Sequence, residues 1–191
     1  MAQGVYHYIG EAWKEPDKET KKTRLIQWRA GNSITKVDKP LRLDKARMLG
    51  YKAKKGFVVV RVRLKRGGRK RKSRMGTGRK TRTQTIRKTL KMNYQWVAEQ
   101  RAERNYSNLV VLNSYWIGKD GRYYFFEVIL VDPDASEIKS DRTINWICSR
   151  ENRKRAMRGL TSAARKSRGL RKKSRELKVR PSLRAHERQG K

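Results

Sequence analysis

Phe57-Val58-Val59-Val60-Arg61-Val62-Arg63-Leu64 is the stretch on which the reading of the fold turns. Its β-branched residues and its alternation mark a strand, because successive side chains of a strand point to opposite faces. Val58, Val60, Val62 and Leu64 share one face, expected to be core. Arg61 and Arg63 point to the other, expected to carry charge. Two similar runs follow, Leu109 to Ile117 and Tyr123 to Val131, with Gly118-Lys119-Asp120-Gly121-Arg122 between them. A short connection containing Asp-Gly predicts a hairpin, since Gly tolerates the positive φ of tight turns. Between the first strand and the hairpin, Ile86, Leu90, Tyr94 and Val97 recur at helical spacing and lead into Ala98 to Arg104. Strand, excursion, helix and hairpin predict an α+β fold, a small and largely antiparallel sheet covered by helices.

Upstream, Val5, Tyr8, Ile9, Ala12 and Trp13 fall on one helix face that should pack on something, and Pro16 ends that segment. Leu25, Ile26 and Trp28 belong to a second helix expected to end at Gly31 with positive φ. Asn32 to Pro40 reads as a loop, and Leu43 to Leu49 as a short helix stopped by Gly50. Downstream, Thr161 is placed to cap a helix running through Arg168, with Gly169 just past its end.

Composition sets the function class. The 191 residues hold 52 Lys and Arg against 17 Asp and Glu, a formal charge of +35 and a pI near 11.1. Only 37 residues are Leu, Ile, Val or Phe, just under the ~20% that with high charge signals disorder. The charge is concentrated, however. Arg61 to Lys91 carry 15 bases and no acid, and Ser149 to Lys191 carry 17 bases and three acids, whereas Met92 to Cys148 hold six bases and eight acids. The expected organisation is a single domain over 1–148, interrupted by a basic loop at 65–85, and a basic tail over 149–191. Such blocks call for a polyanionic partner that neutralises their self-repulsion.

Several classes fall away. No apolar stretch approaches the roughly 20 residues of a membrane span, and the tail lacks the apolar face of a membrane-surface helix. Met1 to Gly10 has no signal-peptide pattern, so an intracellular protein is expected. Cys148 is the single cysteine, and His7 and His186 are the only histidines, too few for the usual four-ligand zinc site. A metal-dependent nuclease built on Glu99 with Glu103, or on Asp132 with Asp134, lacks a third carboxylate or a His; helix solvation and turn geometry account for those acids. Trp13, Trp28, Trp96 and Trp146 read as core or core-edge fillers. Tyr115, Trp116 and Tyr123 to Phe126 divide by strand alternation, those left exposed being able to stack unpaired bases.

The candidate nucleic-acid-binding residues follow from charge and from the glycines that let a backbone approach a surface closely. They are Lys45, Arg47, Lys52, Lys54 and Lys55 before the first strand, and Arg61 and Arg63 on it. In the loop they are Arg66, Gly67, Gly68, Arg69, Lys70, Arg71, Lys72, Arg74, Arg79, Lys80 and Arg82. In the tail they are Arg153, Lys154, Arg155, Arg158, Arg165, Lys166, Arg168, Arg171, Lys172, Lys173 and Arg175. The loop is expected to lack fixed form alone and to thread into a folded polyanion. Arg69 to Lys72 also has the look of a nuclear-localisation motif, a pattern of low specificity. An architectural DNA-binding protein is the alternative at this level.

Longer collinear blocks carry a family resemblance. Lys39-Pro40-Leu41-Arg42-Leu43-Asp44-Lys45-Ala46-Arg47-Met48-Leu49-Gly50-Tyr51-Lys52-Ala53-Lys54, followed by Gly56-Phe57 and Arg66 to Arg71, resembles the ribosomal protein fifteen-e family of archaeal and eukaryotic large subunits. Val111 to Trp116, Tyr124 to Pro133, and Met157 to Ala163 with Arg165 to Leu170 agree with it. The run after Arg171 is shorter than in eukaryotic members, which favours the archaeal form. The resemblance implies a non-catalytic constituent of the large ribosomal subunit, cytoplasmic, whose basic loop and tail lie in large-subunit rRNA. Its partners would be that rRNA and neighbouring ribosomal proteins, with no membrane and no small-molecule substrate. No cofactor is expected beyond structural Mg or K ions shared with rRNA.

Overall fold

A computed structural model describes residues 3–68 and 90–171. The elements run α1 (Val5–Lys14), α2 (Lys18–Ala30), β1 (Ile34–Val37), α3 (Leu43–Met48), β2 (Phe57–Lys65), α4 (Tyr94–Asn105), β3 (Val110–Lys119), β4 (Tyr123–Val131), α5 (Ser136–Lys139) and α6 (Ser162–Ser167). Two short 3-10 turns, Asn145–Cys148 and Arg150–Asn152, lie between α5 and α6. The fold is α+β, with an antiparallel sheet in the order β1-β2-β4-β3. β2 pairs with β4 along its whole length, from Phe57 opposite Val131 to Lys65 opposite Tyr123.

The sheet is buried on both sides. On one face Val60, Val62, Leu64, Phe126, Val128 and Leu130 pack with Ala98 and Ala102 of α4. On the other, Val59, Tyr115, Phe125 and Ile129 meet Trp28 of α2 and Ala46 of α3. The face expected to carry charge is therefore core. α2 and α3 cover it, and the Arg61 and Arg63 guanidinium groups lie over Trp28 at 5.5 Å and Tyr123 at 5.0 Å. Burying a side chain such as Phe125 contributes about 1.5–3 kcal/mol, and the continuous apolar run of β4 supplies such side chains to both layers.

Several local expectations change. Asn32 to Pro40 is not all loop, since Ile34–Val37 forms the edge strand β1, paired Ile34 to Val62. Gly31 lies at φ −69°, because the chain turns directly from α2 into extended backbone. Gly121 is not in the left-handed region either. The hairpin turn is closed instead by Asp120, whose Oδ1 accepts from the Arg122 and Tyr123 amides at 2.7 and 2.5 Å. α4 starts at Tyr94 rather than at Leu90, with the Asn93 side chain accepting from the Trp96 amide. Ile86 lies outside the described residues. α1 forms over the expected residues but buries none of them, and Val5 and Tyr8 stand exposed.

Two helix ends behave as read. Gly50 (φ +94°) and Gly169 (φ +74°) end α3 and α6. The amides of Gly50 and Tyr51 bond to the Arg47 and Ala46 carbonyls, and those of Gly169 and Leu170 bond to Lys166 and Arg165. This is the Schellman pattern, which satisfies carbonyls a helix end would leave bare. Packing also continues past Cys148. Ala156, Ala163 and Ala164 are buried, the Trp96 indole N–H donates to the Ala156 carbonyl at 2.6 Å, and α6 packs on α4 and β3.

Candidate nucleic-acid interface

The basic excursion is built onto a closed scaffold. β2 ends at Lys65 and α4 begins at Tyr94, and these ends meet. The Tyr94 hydroxyl accepts from the Gly67 amide at 2.9 Å and donates to the Gly67 carbonyl at 2.8 Å. Arg66 is fixed beside it: its amide bonds to the Arg122 carbonyl at 2.8 Å, its guanidinium donates to the Asp120 carbonyl at 2.7 Å, and it lies 5.0 Å over Tyr124. Gly68 is exposed. Arg69, Lys70, Arg71, Lys72, Arg74, Arg79, Lys80 and Arg82 lie outside the described residues, as do Lys172, Lys173 and Arg175.

The remaining candidates divide by what holds their charge. Lys52 and Lys54 converge on one oxygen of Asp141, each at 2.7 Å, and the two ammonium groups hold that carboxyl well below the usual carboxylate range. Lys55 beside them is exposed. Lys45 is half-buried, and Arg47 is exposed with its guanidinium 5.9 Å over Tyr51. Arg63 donates to the Trp28 and Arg29 carbonyls at the end of α2. Arg155 donates to the Val111 and Leu112 carbonyls at 3.2 Å and covers Trp146 at 4.9 Å. Burial lowers the pKa of both Arg61 and Arg155, against the pull of neighbouring carboxylates. Of the two places read for Trp146, core or core edge, it takes the edge, 43% exposed beneath Arg155.

At the C-terminal side, Arg153 reaches both Asp134 oxygens at 3.1 Å. Arg158 donates to the Glu151 carbonyl, and Arg168 to the Gly159 carbonyl at 3.0 Å. Lys154, Arg165, Lys166 and Arg171 are exposed. Lys154 holds the single positive φ among the described non-glycine residues, +52°.

What fixes this basic segment in place was not foreseen. Glu99 and Glu103, read as solvated helix acids, are buried. Glu99 accepts from the Ser114 hydroxyl at 2.5 Å and from the Thr161 hydroxyl. Glu103 accepts from the Met157 amide at 3.0 Å. The two carboxylates on α4 thus bind residues 156–161, a segment that contains Arg158 and is flanked by Arg153, Arg155, Arg165 and Lys166. Glu127 does similar work on the opposite face, accepting from the Tyr115 hydroxyl at 2.5 Å and the Leu41 amide at 3.1 Å. Burial raises the pKa of all three carboxyls, and of Tyr115 beside the Glu127 charge. None of this was legible in spacing, because the partners lie far away in sequence.

The raised Glu99 pKa has a measurable consequence. The folded state keeps the proton to higher pH than the unfolded chain, whose value is 4.5. Its contribution is complete below that value and is lost as pH rises through the folded one. Glu99→Gln, which does not titrate, should therefore gain on the wild type as pH is raised above that unfolded value, read from urea midpoints. A difference that stays flat with pH would show that Glu99 is ionised throughout.

The sequence itself gives the family. A family model described as Ribosomal L15 matches residues 4–186. The large ribosomal subunit protein eL15 of Methanocella arvoryzae is 47% identical over 196 aligned positions, an alignment that takes in the whole of both chains. Two independent likenesses of this extent leave one conclusion, that the chain belongs to the Ribosomal L15 family, L15e.

Proposed function

We propose that this protein is a structural constituent of the large ribosomal subunit, cytoplasmic and non-catalytic, which binds and stabilises large-subunit rRNA through its basic segments. Family membership supports the ribosomal assignment. The structural observation that carries the RNA-binding reading is the Gly67–Tyr94 closure. A stretch with ten Lys or Arg between residues 69 and 89 and no acid is mounted where β2 and α4 already meet. The segment holds no carboxylate of its own to neutralise that charge, and neutralising phosphates instead would release counterions and drive binding. Phosphate contacts position, and the folded domain sets the orientation in which loop and C-terminal residues are presented together. Neighbouring ribosomal proteins are the second class of partner. The protein brings no cofactor; Mg or K ions at the contact would be shared with rRNA phosphates.

The test is sedimentation of a tagged copy from lysate on sucrose gradients. Co-migration with large subunits through a high-salt wash, abolished by ribonuclease, is the expected result. Recovery with DNA, or in light fractions indifferent to ribonuclease, would reject the reading and promote the architectural DNA-binding alternative.

A further inference from the structure

The 3-10 turn Asn145–Cys148 sorts its side chains by its period of three. Residues three apart eclipse in such a turn, and Ile144 and Ile147 accordingly both enter the core with Val110, Val131 and Ile138. Trp146 is off that line and stands 43% exposed. It is nonetheless held. Its carbonyl accepts from the Ser149 amide at 3.4 Å and from the Asn152 side chain at 2.6 Å, and the Arg155 guanidinium lies 4.9 Å from the centre of its ring. Arg155 is itself fixed, on the Val111 and Leu112 carbonyls of β3 at 3.2 Å. The indole is therefore backed on one side by a cation anchored to the sheet, and its exposure belongs to the rest of the ring. A ring held in this way meets a second flat group without first having to be ordered.

The charge around the indole selects an occupant. Residues 142–158 hold six Lys or Arg and one acid, Glu151, and Asp141 just before them is taken up by Lys52 and Lys54. Arg153 is occupied by Asp134, Arg155 by β3 and Arg158 by the Glu151 carbonyl. The side chains of Arg142, Arg150 and Lys154 are exposed and meet no carboxylate, carbonyl or ring among the described residues. Arg142 and Arg150 stand four residues before and after Trp146. Lys154 stands where the chain takes φ +52°, between the Arg153 contact with Asp134 and the Arg155 contact with β3. An apolar side chain of another protein would cover the indole and leave these three cations unmatched. An unpaired nucleotide matches both features, since its base has a π face and its flanking phosphates carry charge.

We propose that Trp146 stacks one unpaired base of large-subunit rRNA on the side of its ring away from Arg155, with Arg142, Arg150 and Lys154 serving the adjoining phosphates. The proposal rests on the rRNA-binding reading above and adds a defined, base-holding contact to one otherwise made by charge. Full-length wild type, Trp146→Phe and Trp146→Ala would be titrated with deproteinised large-subunit rRNA at several salt concentrations. Indole emission would be followed in the same titrations. A stacked base quenches an indole, and the difference between wild type and Trp146→Phe isolates Trp146 among the five tryptophans. Thermal melting of each variant checks the fold.

Loss of one stacked base should weaken Trp146→Ala by about ten-fold, at an unchanged log–log salt slope because no cation is removed. Trp146→Phe keeps a π face and should lose less, and the difference emission should fall on binding. Wild-type affinity for Trp146→Ala, or a difference emission that binding leaves unchanged, would overturn the base site while leaving rRNA binding intact. A shallower slope for Trp146→Ala would show that the indole acts only by seating Arg155 and the cations beside it, and would overturn the base site too. Should Trp146→Ala fail to fold, the emission difference decides alone. Failure of the wild type to bind the rRNA would instead overturn the underlying reading, and the base site with it. Crosslinking of Trp146 to another protein chain in intact subunits would assign this face to a protein neighbour and overturn the proposal.

Discussion

Gly56→Ala should lower the stability of the domain by about 4 kcal/mol. Gly56 holds φ +86° at the entry to β2. An L-residue in the left-handed region costs about 1–2 kcal/mol. A Cβ at this position would also lie 2.5 Å from Ile138 Cγ1 and 3.2 Å from Ala135 Cβ. Ile138 is fully buried and belongs to the cluster with Val110, Val131, Ile144 and Ile147, so the overlap cannot be relieved by swinging the side chain into solvent. Overpacking of this kind costs a further 1–3 kcal/mol or so. For a chain of this size the combined loss is a fall in melting temperature of roughly 12 °C. Gly121→Ala is the control, because Gly121 is outside the left-handed region and nothing stands within 4 Å of its Cβ position. Equal melting temperatures for the two variants would refute the account.

The second large effect concerns binding. Replacing residues 69–80 by a Gly/Ser segment of equal length removes seven Lys or Arg and leaves the Gly67–Tyr94 closure in place. The variant should melt as cooperatively as the wild type, yet bind large-subunit rRNA about a thousand-fold more weakly near 100 mM salt. Its log–log salt slope should be shallower by roughly 5. Titration at several salt concentrations measures both quantities. An unchanged slope would show that the segment makes no phosphate contacts, and loss of cooperative melting would show that folding and binding are not separable here.

The sheet was readable because alternation and β-branching are local properties. β2 and β4 stand where Phe57 to Leu64 and Tyr123 to Val131 placed them. β1 was hidden because four residues between Asn32-Ser33 and Asp38 give too short a pattern, and its pairing with Val59 to Val62 comes from the tertiary fold. The charged face was misjudged for a related reason. Arg61 and Arg63 look solvent-bound in sequence, but their stems and guanidinium planes can lie against Trp28 and Tyr123, and only the arrival of α2 reveals it. Glu99 and Glu103 were misread because burial of a carboxylate depends on donors, and those donors sit on Thr161 and Met157. For the candidate interface, charge density marked the basic segments plainly. Which cations are held by the protein's own groups, as Lys52 and Lys54 are by Asp141, required the fold.

The long sequence separation of the α4 carboxylates from their partners also bears on vectorial synthesis. Glu99 is made 62 residues before Thr161, an interval of about 3 to 12 s at ordinary rates of elongation. Throughout that time α4 and the hairpin can exist with Glu99 already bonded to Ser114, while the Thr161 and Met157 donors are still unmade. Closure of the domain is thereby tied to the last quarter of translation. The carboxylates stand ready before the segment they seat, and the C-terminal cations reach the sheet only once residues 156–161 arrive, an ordering in time that the finished molecule no longer displays.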